Sequence, residues 1–245
     1  MRSLPALLVA AALLSPALAM GAAGTVSFVQ GTATRTVEGS PAQPLALGAE
    51  INAGDQLHTD PASKLELTLV DGSVLRLDHS SDLKLSQVER KADTGNWKVK
   101  ATLALGSIWA RVSKRIGGEQ TFEINTTRVV AGVRGTEFVV EANENEHAVM
   151  VVEGSVDVRD PEGHELGPSF LHHLDAWKVI RVSAGRKTDG VTGIGGKNDL
   201  QTLLGWVKRF EFEHGVTADG PSWNDHHDRL NERRDGRHNR RVFDR

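Results

Sequence analysis

A regular alternation of apolar and polar residues constrains the fold of this chain more than any other feature. In residues 64–69 every second residue is leucine, and the same two-residue period recurs at 122–124, 138–140 and 156–158. Successive side chains of a strand point to opposite faces, so this period indicates strands with one buried face. Clusters of Gly, Asp and Asn separate the runs, as turns do. The sequence therefore predicts an all-β body.

One segment near the C-terminus has the spacing of a helix instead. Its apolar residues fall on a single helical stripe, and Asn198 or Asp199 precedes them as a capping residue. The stripe consists of Leu200, Leu203, Leu204, Val207 and Phe210. We expect residues 191–220 to hold a linker and this amphipathic helix, docked on the open end of the β-body to cover its edge strands.

Four turns share a glycine followed by Ser or Thr, at Gly31, Gly72, Gly106 and Gly154. A three-residue loop at Gly72 keeps the leucines of 65–69 on one face with those of 75–77 and puts Gly72 in a left-handed bulge position. The same reasoning at Gly154 predicts a second hairpin that joins 150–152 to 156–158. The uneven spacing of the four glycines suits stacked irregular hairpins or the coils of a β-solenoid.

The two ends of the chain differ from the body. Residues 1–19 combine a basic start, a short apolar run and an Ala17-Leu18-Ala19 site, which predicts a secretory signal peptide and a mature chain that begins at Met20. We therefore expect a bacterial extracytoplasmic protein, periplasmic or secreted. Residues 221–245 hold seven arginines and five acids and predict a charged disordered tail.

Composition excludes several function classes. The chain has no cysteine, which rules out disulfides, thiolate metal sites and cysteine nucleophiles. Its formal charge is −3, and residues 20–220 alone carry −6. A mildly acidic body with a short tail of mixed charge is not typical of a nucleic-acid-binding protein.

Carboxylates, histidines and tryptophans could in principle carry chemistry, but each has a simpler interpretation. Glu66, Asp71, Asp78 and Asp82 could supply an acid pair for glycan cleavage, yet their positions are those of turn and strand-end residues. We predict no catalytic, cofactor or metal site. Adjacent histidines of a strand point to opposite faces, and ligand types in a flexible tail form a poor site; the residues concerned are His172, His173, Asp225, His226, His227, Asp228 and His238. Trp109 lies in an alternating run and is expected in the core.

The segment AGVRGTEFVV, residues 131–140, poses a choice between a phosphate cradle and a structural corner. A cradle would need a glycine-rich loop that opens a helix, whereas a strand-like run follows here. We predict that Gly132 and Gly135 allow tight turns where a side chain would clash. Arg134 is then expected to hold carbonyls or a carboxylate at strand ends.

Several segments in a fixed order resemble the FecR domain. They are GDQLHTDPASKLELTLVDGSVLRLDHSSDLKL (54–85), LALGSIWARV (103–112), FEINTTRVVAGVRGTEFVVE (122–141) and AVMVVEGSVDV (148–158). The resemblance implies an all-β, solenoid-like extracytoplasmic domain, which we place at 20–190 with its best match at about 50–160. The motif residues, predicted to be structural, are Gly54, Asp55, Asp71, Gly72, Gly106, Gly132, Arg134, Gly135, Thr136, Phe138 and Gly154.

The resemblance also suggests a function. Well-known members of the family relay a signal from a TonB-dependent transporter to an anti-sigma segment across a membrane helix. The expected signal peptide would leave this chain no such helix, so we do not expect direct anti-sigma action. The sequence predicts an exported, non-enzymatic binding or signalling module whose partner is an envelope protein. The alternative is a structural envelope or matrix protein that binds glycan through its β-surface.

Overall fold

The computed structural model describes residues 21–114, 120–166, 173–175, 178–183 and 191–193, and all of its regular structure is β-strand. None of these residues forms a helix, so the described part holds no helical segment that could cross a membrane. The strands are β1 (Gly24–Gln30), β2 (Ala33–Thr36), β3 (Gln43–Pro44), β4 (Glu50–Ile51), β5 (Gln56–Thr59), β6 (Lys64–Leu69), β7 (Val74–Leu77), β8 (Asp82–Arg90), β9 (Trp97–Arg111), β10 (Thr121–Asn125), β11 (Val130–Val133), β12 (Glu137–Ala142), β13 (Glu146–Glu153), β14 (Ser155–Arg159), β15 (His173–Asp175), β16 (Lys178–Ser183) and β17 (Val191–Gly193). The all-β prediction is confirmed for this part of the chain.

The strands form two sheets that share one long strand. Sheet 1 has the order β4-β1-β6-β7-β9-β12-β13-β16-β17. Sheet 2 has the order β3-β2-β5-β8-β9-β10-β11-β14-β15. Residues 97–105 of β9 pair in sheet 2, and residues 106–111 pair in sheet 1. Among the described strand pairs, β9 with β10 is parallel and the others are antiparallel.

The core lies between the two sheets. Leu67 and Ile108 of sheet 1 and Leu85 and Phe122 of sheet 2 have no more than 2% of their surface exposed and belong to one cluster of buried side chains. Fully burying a leucine stabilises a fold by about 1.5–3 kcal/mol. The alternation of the sequence thus encodes two inner faces that meet in a single core.

The middle of sheet 1 is buried on its outer face as well. Trp109, Val139, Met150 and Val179 lie opposite one another on four neighbouring strands. Each is almost fully buried, yet none belongs to the core cluster between the sheets. Sheet 1 is therefore apolar on both sides along this row.

The hairpin predicted at Gly72 is confirmed. Leu67 lies opposite Leu75 and Leu65 opposite Leu77, so the leucines share the inner face. The Leu69 N–H donates to the Ser73 carbonyl, which leaves a three-residue loop, and Gly72 has a φ of +85°. This is the left-handed bulge position that the sequence predicts.

The hairpin predicted at Gly154 is wrong. β13 belongs to sheet 1 and β14 to sheet 2, so Gly154 lies at a corner between sheets. The same holds for Gly31, between β1 and β2, and for Gly106, where β9 bends. The solenoid that the spacing also allowed is not confirmed, and the predicted helix at 200–210 lies outside the described residues.

Candidate functional site

The motif residues of the sequence gather mainly at the corners and turns of the two-sheet body. Gly106, where β9 passes from sheet 2 to sheet 1, has a φ of +95°. A Cβ atom there would lie 2.5 Å from the Cα of Ser81, in the corner between β7 and β8. The Ser107 N–H donates to Ser81 Oγ at 3.0 Å, so the two corners are bonded together. Only glycine fits this close approach without strain.

Two further corners repeat the arrangement with other residues. At Gly31 the next residue, Thr32, donates its N–H to Ser63 Oγ at 2.9 Å. At Gly154 the next residue, Ser155, accepts a hydrogen bond from Thr136 Oγ1 at 2.8 Å. In each case a glycine crosses between sheets and a hydroxyl from a second corner holds the residue that follows. The shared Gly-Ser/Thr pattern therefore marks a paired corner at three of its four positions, and a hairpin at Gly72.

The corner at 131–140 answers the question raised by its glycines. Gly135 has a φ of +62°, and a Cβ there would lie 3.0 Å from the Cβ of Lys114, as predicted for a tight turn. The same prediction for Gly132 is wrong, because this residue lies inside β11 and the nearest atom that a Cβ would meet is Arg159 Nη2, at 3.6 Å. Arg134 is exposed, although it does interact with a neighbour. Strand β12 follows with Phe138 fully buried.

Asp71 is fixed inside its hairpin. It is fully buried and accepts hydrogen bonds from the Ser73 N–H at 2.9 Å, from Ser73 Oγ at 2.8 Å and from Gln120 Nε2 at 2.8 Å. Ser73 Oγ in turn accepts the Ser113 N–H at 3.1 Å. The carboxylate thus ties the β6–β7 loop to the segment between β9 and β10.

Asp55 has a similar role at the turn that precedes β5. It is 2% exposed, and its Oδ2 accepts the Asn52 N–H at 2.8 Å. Gly54 beside it has a φ of +96° and donates its N–H to the Leu85 carbonyl at 2.7 Å. Arg35 lies 3.8 Å from the same carboxylate oxygen. Gly54 and Asp55 thus hold this turn against Leu85 of β8.

The four carboxylates considered for glycan cleavage do not form one site. Asp71 and Asp78 lie beyond opposite ends of β7, whose four residues span roughly 13 Å. This exceeds the separation of about 5–10 Å that an acid pair requires. Asp82 bonds His58 Nδ1 at 2.7 Å, and Asp78 lies 3.1 Å from His79 Nδ1. Each group has a local partner, which supports the structural interpretation.

The sequence reasoning missed a charged and aromatic group on the outer face of sheet 1. Glu66 accepts hydrogen bonds from Arg76 Nε at 2.6 Å and from Ser27 Oγ at 2.7 Å. The Arg76 guanidinium lies 4.5 Å from the centroid of the Trp109 ring, a cation–π distance. Trp109 Nε1 donates to Glu137 Oε1 at 3.0 Å. The sequence carried a signal for the Glu66–Arg76 pair, because the register predicted for the Gly72 hairpin already places these two residues opposite each other.

The burial expected of Trp109 is confirmed, although the residue lies on the outer face of sheet 1 and outside the core cluster between the sheets. Since its ring faces Arg76 and lies 5.6 Å from the Arg111 guanidinium, it is not open to stack on a sugar. The glycan interpretation would have to rest on other residues.

Two titratable groups of sheet 1 lie in settings that shift their pKa. Burial raises the pKa of Glu141 above its usual value, Arg181 acts in the opposite direction, and the acidic Glu146 and Asp78 add to the rise. Burial and the positive charge of Arg128 lower the pKa of His147, against a smaller effect of a hydrogen bond with the Asn143 backbone. Both groups lie on sheet 1, on β12 and β13.

Asp160, Glu162 and His164 bring three ligand-type side chains together within 4.8 Å in the loop after β14. Asp160 accepts the His164 N–H at 2.7 Å and lies 2.9 Å from His164 Nδ1. These hydrogen bonds belong to a turn, and the turn explains why the three side chains lie close together. His172 lies outside the described residues, as do the ligand types of the tail.

Comparison with known proteins identifies the central part of the chain. The model of the family described as FecR protein matches residues 55–157. No curated protein matches the sequence. The resemblance stated from the motifs is confirmed over this range, which lies within the 50–160 expected.

Solved structures give a weaker likeness. Two crystal structures of a "putative anti-sigma factor" from Parabacteroides distasonis ATCC 8503 are similar, with TM-scores of 0.46 and 0.45 and identities of 22% and 21%. The match covers 62% of this chain and 64% or 63% of those chains. A likeness at this level does not bear on function. What the family match establishes is that residues 55–157 of this chain are a FecR domain.

Proposed function

We propose that this protein is an exported, non-enzymatic FecR-domain module of the bacterial cell envelope that binds another envelope protein in signalling. The observation that carries the proposal is the FecR match over 55–157, which covers strands of both sheets. The partner is an envelope protein such as a TonB-dependent transporter or another signalling component. Its identity rests on the family and not on the geometry.

The contacts of the motif residues support a binding role. The side chains of Asp71, Asp55 and Thr136 form hydrogen bonds within turns and corners. Gly106 and Gly135 fix positions where the backbone passes close to a neighbour. Residues used in this way hold a scaffold rigid and leave recognition to the outward faces and edges of the sheets.

Binding can be tested with the purified mature chain as bait in an extract of envelope proteins, beside a screen of glycan hydrolysis and lyase activity. We expect a specific protein to be retained and no glycan to be turned over. Turnover that disappears in Asp78→Asn or Asp82→Asn would overturn the proposal. Retention of glycan without a protein partner would favour the structural alternative.

Export is the second part of the proposal and has its own test. The basic start, the apolar run and the Ala17-Leu18-Ala19 site support cleavage after Ala19. Intact-mass analysis of the extracytoplasmic fraction should give a chain that begins at Met20. A mass that retains Met1 or Arg2 would contradict cleavage.

A further inference from the structure

Strand β8 extends beyond the strand that covers one of its sides. β5 pairs with residues 82–84 of β8. Leu85 is bonded on the same side, since its N–H donates to the Asp55 carbonyl and its carbonyl accepts the Gly54 N–H. Ser86 is an irregularity in the register, and residues 87–90 pair with β9. On the side of β8 that β5 occupies further back, no strand of the described chain pairs with residues 86–90.

The backbone of this stretch faces outward at alternate residues. The Lys91 N–H donates to the Asn96 carbonyl at 2.8 Å, toward β9. In an antiparallel pair the residues bonded to the partner strand alternate with residues whose N–H and C=O point away. Because Lys91 bonds to β9, Val88 and Arg90 direct their backbone groups toward the open side. Residues 86–90 thus form an open edge of sheet 2.

The side chains around the open edge are basic, whereas the body is acidic. Residues 84–100 contain five basic residues and two acidic ones, within a body of charge −6 over 20–220. Lys84, Arg90 and Lys91 are exposed, as are the acidic Glu89 and Asp93, so the net charge of the edge is positive. Lys100, by contrast, is already bound to Glu123 at 2.6 Å. A locally positive edge attracts negative segments and repels its own copy.

We propose that the open edge of β8, residues 86–90, binds an extended acidic segment of a partner protein by strand addition. The inference rests on the proposed function and specifies where and how the partner is recognised. Backbone pairing with Val88 and Arg90 would supply the bonds, and the exposed Lys84, Arg90 and Lys91 would select acidic side chains. Exposed lysines also discourage two copies of a sheet edge from pairing, which argues against a dimer through this edge.

The backbone part of the proposal can be tested with a dye-labelled nine-residue peptide of alternating Glu and Val. Its binding to the full chain would be measured by fluorescence anisotropy at low salt. Two further peptides carry N-methyl groups on alternate residues, one on the odd and one on the even positions. In an added strand only alternate amides face the domain. One N-methylated peptide should therefore lose binding and the other should retain it.

The charge part of the proposal can be tested with Lys84→Glu and Lys91→Glu. Each should weaken peptide binding by roughly fivefold, and the difference should shrink as salt is raised. Lys114→Glu is the matched control, since it makes the same change at an exposed lysine beyond the other end of β9. It should bind like the wild type. Circular dichroism of each variant distinguishes lost binding from lost folding.

The possible results separate this inference from the proposed function. Equal binding of both N-methylated peptides would mean attraction by charge alone and would overturn strand addition. A concentration-dependent dimer that is lost in Lys91→Glu would mean that a second copy occupies the edge, which also overturns it. If the peptide does not bind but the envelope pull-down still retains a protein, the assignment of binding to this edge is wrong and the proposed function stands. If neither binds, both are wrong.

Discussion

Single residues decide the corners of this fold, and the glycines differ in what they contribute. Gly106 combines a φ of +95° with a close approach to the Ser81 backbone, while Gly132 lies in a strand with ordinary spacing. The sequence could not tell them apart, because a glycine followed by a strand-like run is compatible with a corner or with a strand interior. Backbone dihedral angles and neighbours distant in sequence make the difference.

Replacing Gly106 by Ala should therefore destabilise the protein by about 1–3 kcal/mol, from left-handed strain and the contact with Ser81. Gly132→Ala is the matched control, and it should leave the stability unchanged or raise it by up to about 1 kcal/mol. Urea unfolding of the two variants and the wild type measures both effects. Similar losses of stability in the two variants would contradict this account of the corner.

At the scale of elements, the hairpin at Gly72 could be predicted and the corner at Gly154 could not. In both places apolar residues on either side of the turn face the core. The alternation is the same whether the second strand pairs with the first or crosses to the opposite sheet. At Gly72 the leucines and Arg76 excluded the alternative register, since it would set an arginine on the inner face. At Gly154 the charged Asp157 constrains the register of a hairpin in the same way, but it does not distinguish a hairpin from a crossing to the other sheet, so the pattern alone left the corner unrecognised.

The pairing of β6 with β7 places Glu66 opposite Arg76, with 15% and 5% of their side chains exposed. Glu66→Gln should cost about 3 kcal/mol, because it removes the carboxylate charge that faces the buried Arg76 guanidinium at 2.6 Å. Glu123→Gln provides a control, since its partner Lys100 is 33% exposed and such pairs contribute about 0–1 kcal/mol. The double variant Glu66→Gln/Arg76→Met should recover part of the loss in thermal unfolding. A Glu66→Gln protein as stable as Glu123→Gln would show that the pair is not a buried one.

At the scale of the whole molecule, His147 joins the two sheets. It lies on β13 of sheet 1, and its Nδ1 is 2.7 Å from Oγ1 of Thr126, in the turn between β10 and β11 of sheet 2. Thr126 Oγ1 already accepts the N–H groups of Val129 and Arg128. Its hydroxyl also donates to the Val129 carbonyl at 3.2 Å, so Thr126 and His147 belong to one hydrogen-bonded corner. Burial and the charge of Arg128 lower the pKa of His147, and protonation would place a second positive charge in this buried corner.

This link predicts a pH dependence of stability. Because the pKa of His147 is lower in the folded state than its usual 6.5, the unfolded state binds more protons just below pH 6.5. The stabilisation is present above pH 6.5 and is lost as the pH falls toward the folded-state pKa. Urea unfolding from pH 8 to 5.5 should show a smaller decline in His147→Gln than in the wild type. Glu141, whose pKa is raised, has the opposite effect: its contribution to stability decreases as the pH rises above its usual pKa of 4.5. Equal declines in the two proteins would exclude His147 as the source.

The shared strand β9 has a consequence for the order in which this protein can be assembled. Strands β7 and β8 precede β9 in the chain, and each pairs with it on a side that no other described strand covers. Until β9 pairs, both sheets present a bare edge, and bare edges invite association with other chains. Pairing of that one strand extends both sheets at once and offers β10 and β12 their templates. A defect in residues 97–111 would therefore stop the growth of both sheets and not of one.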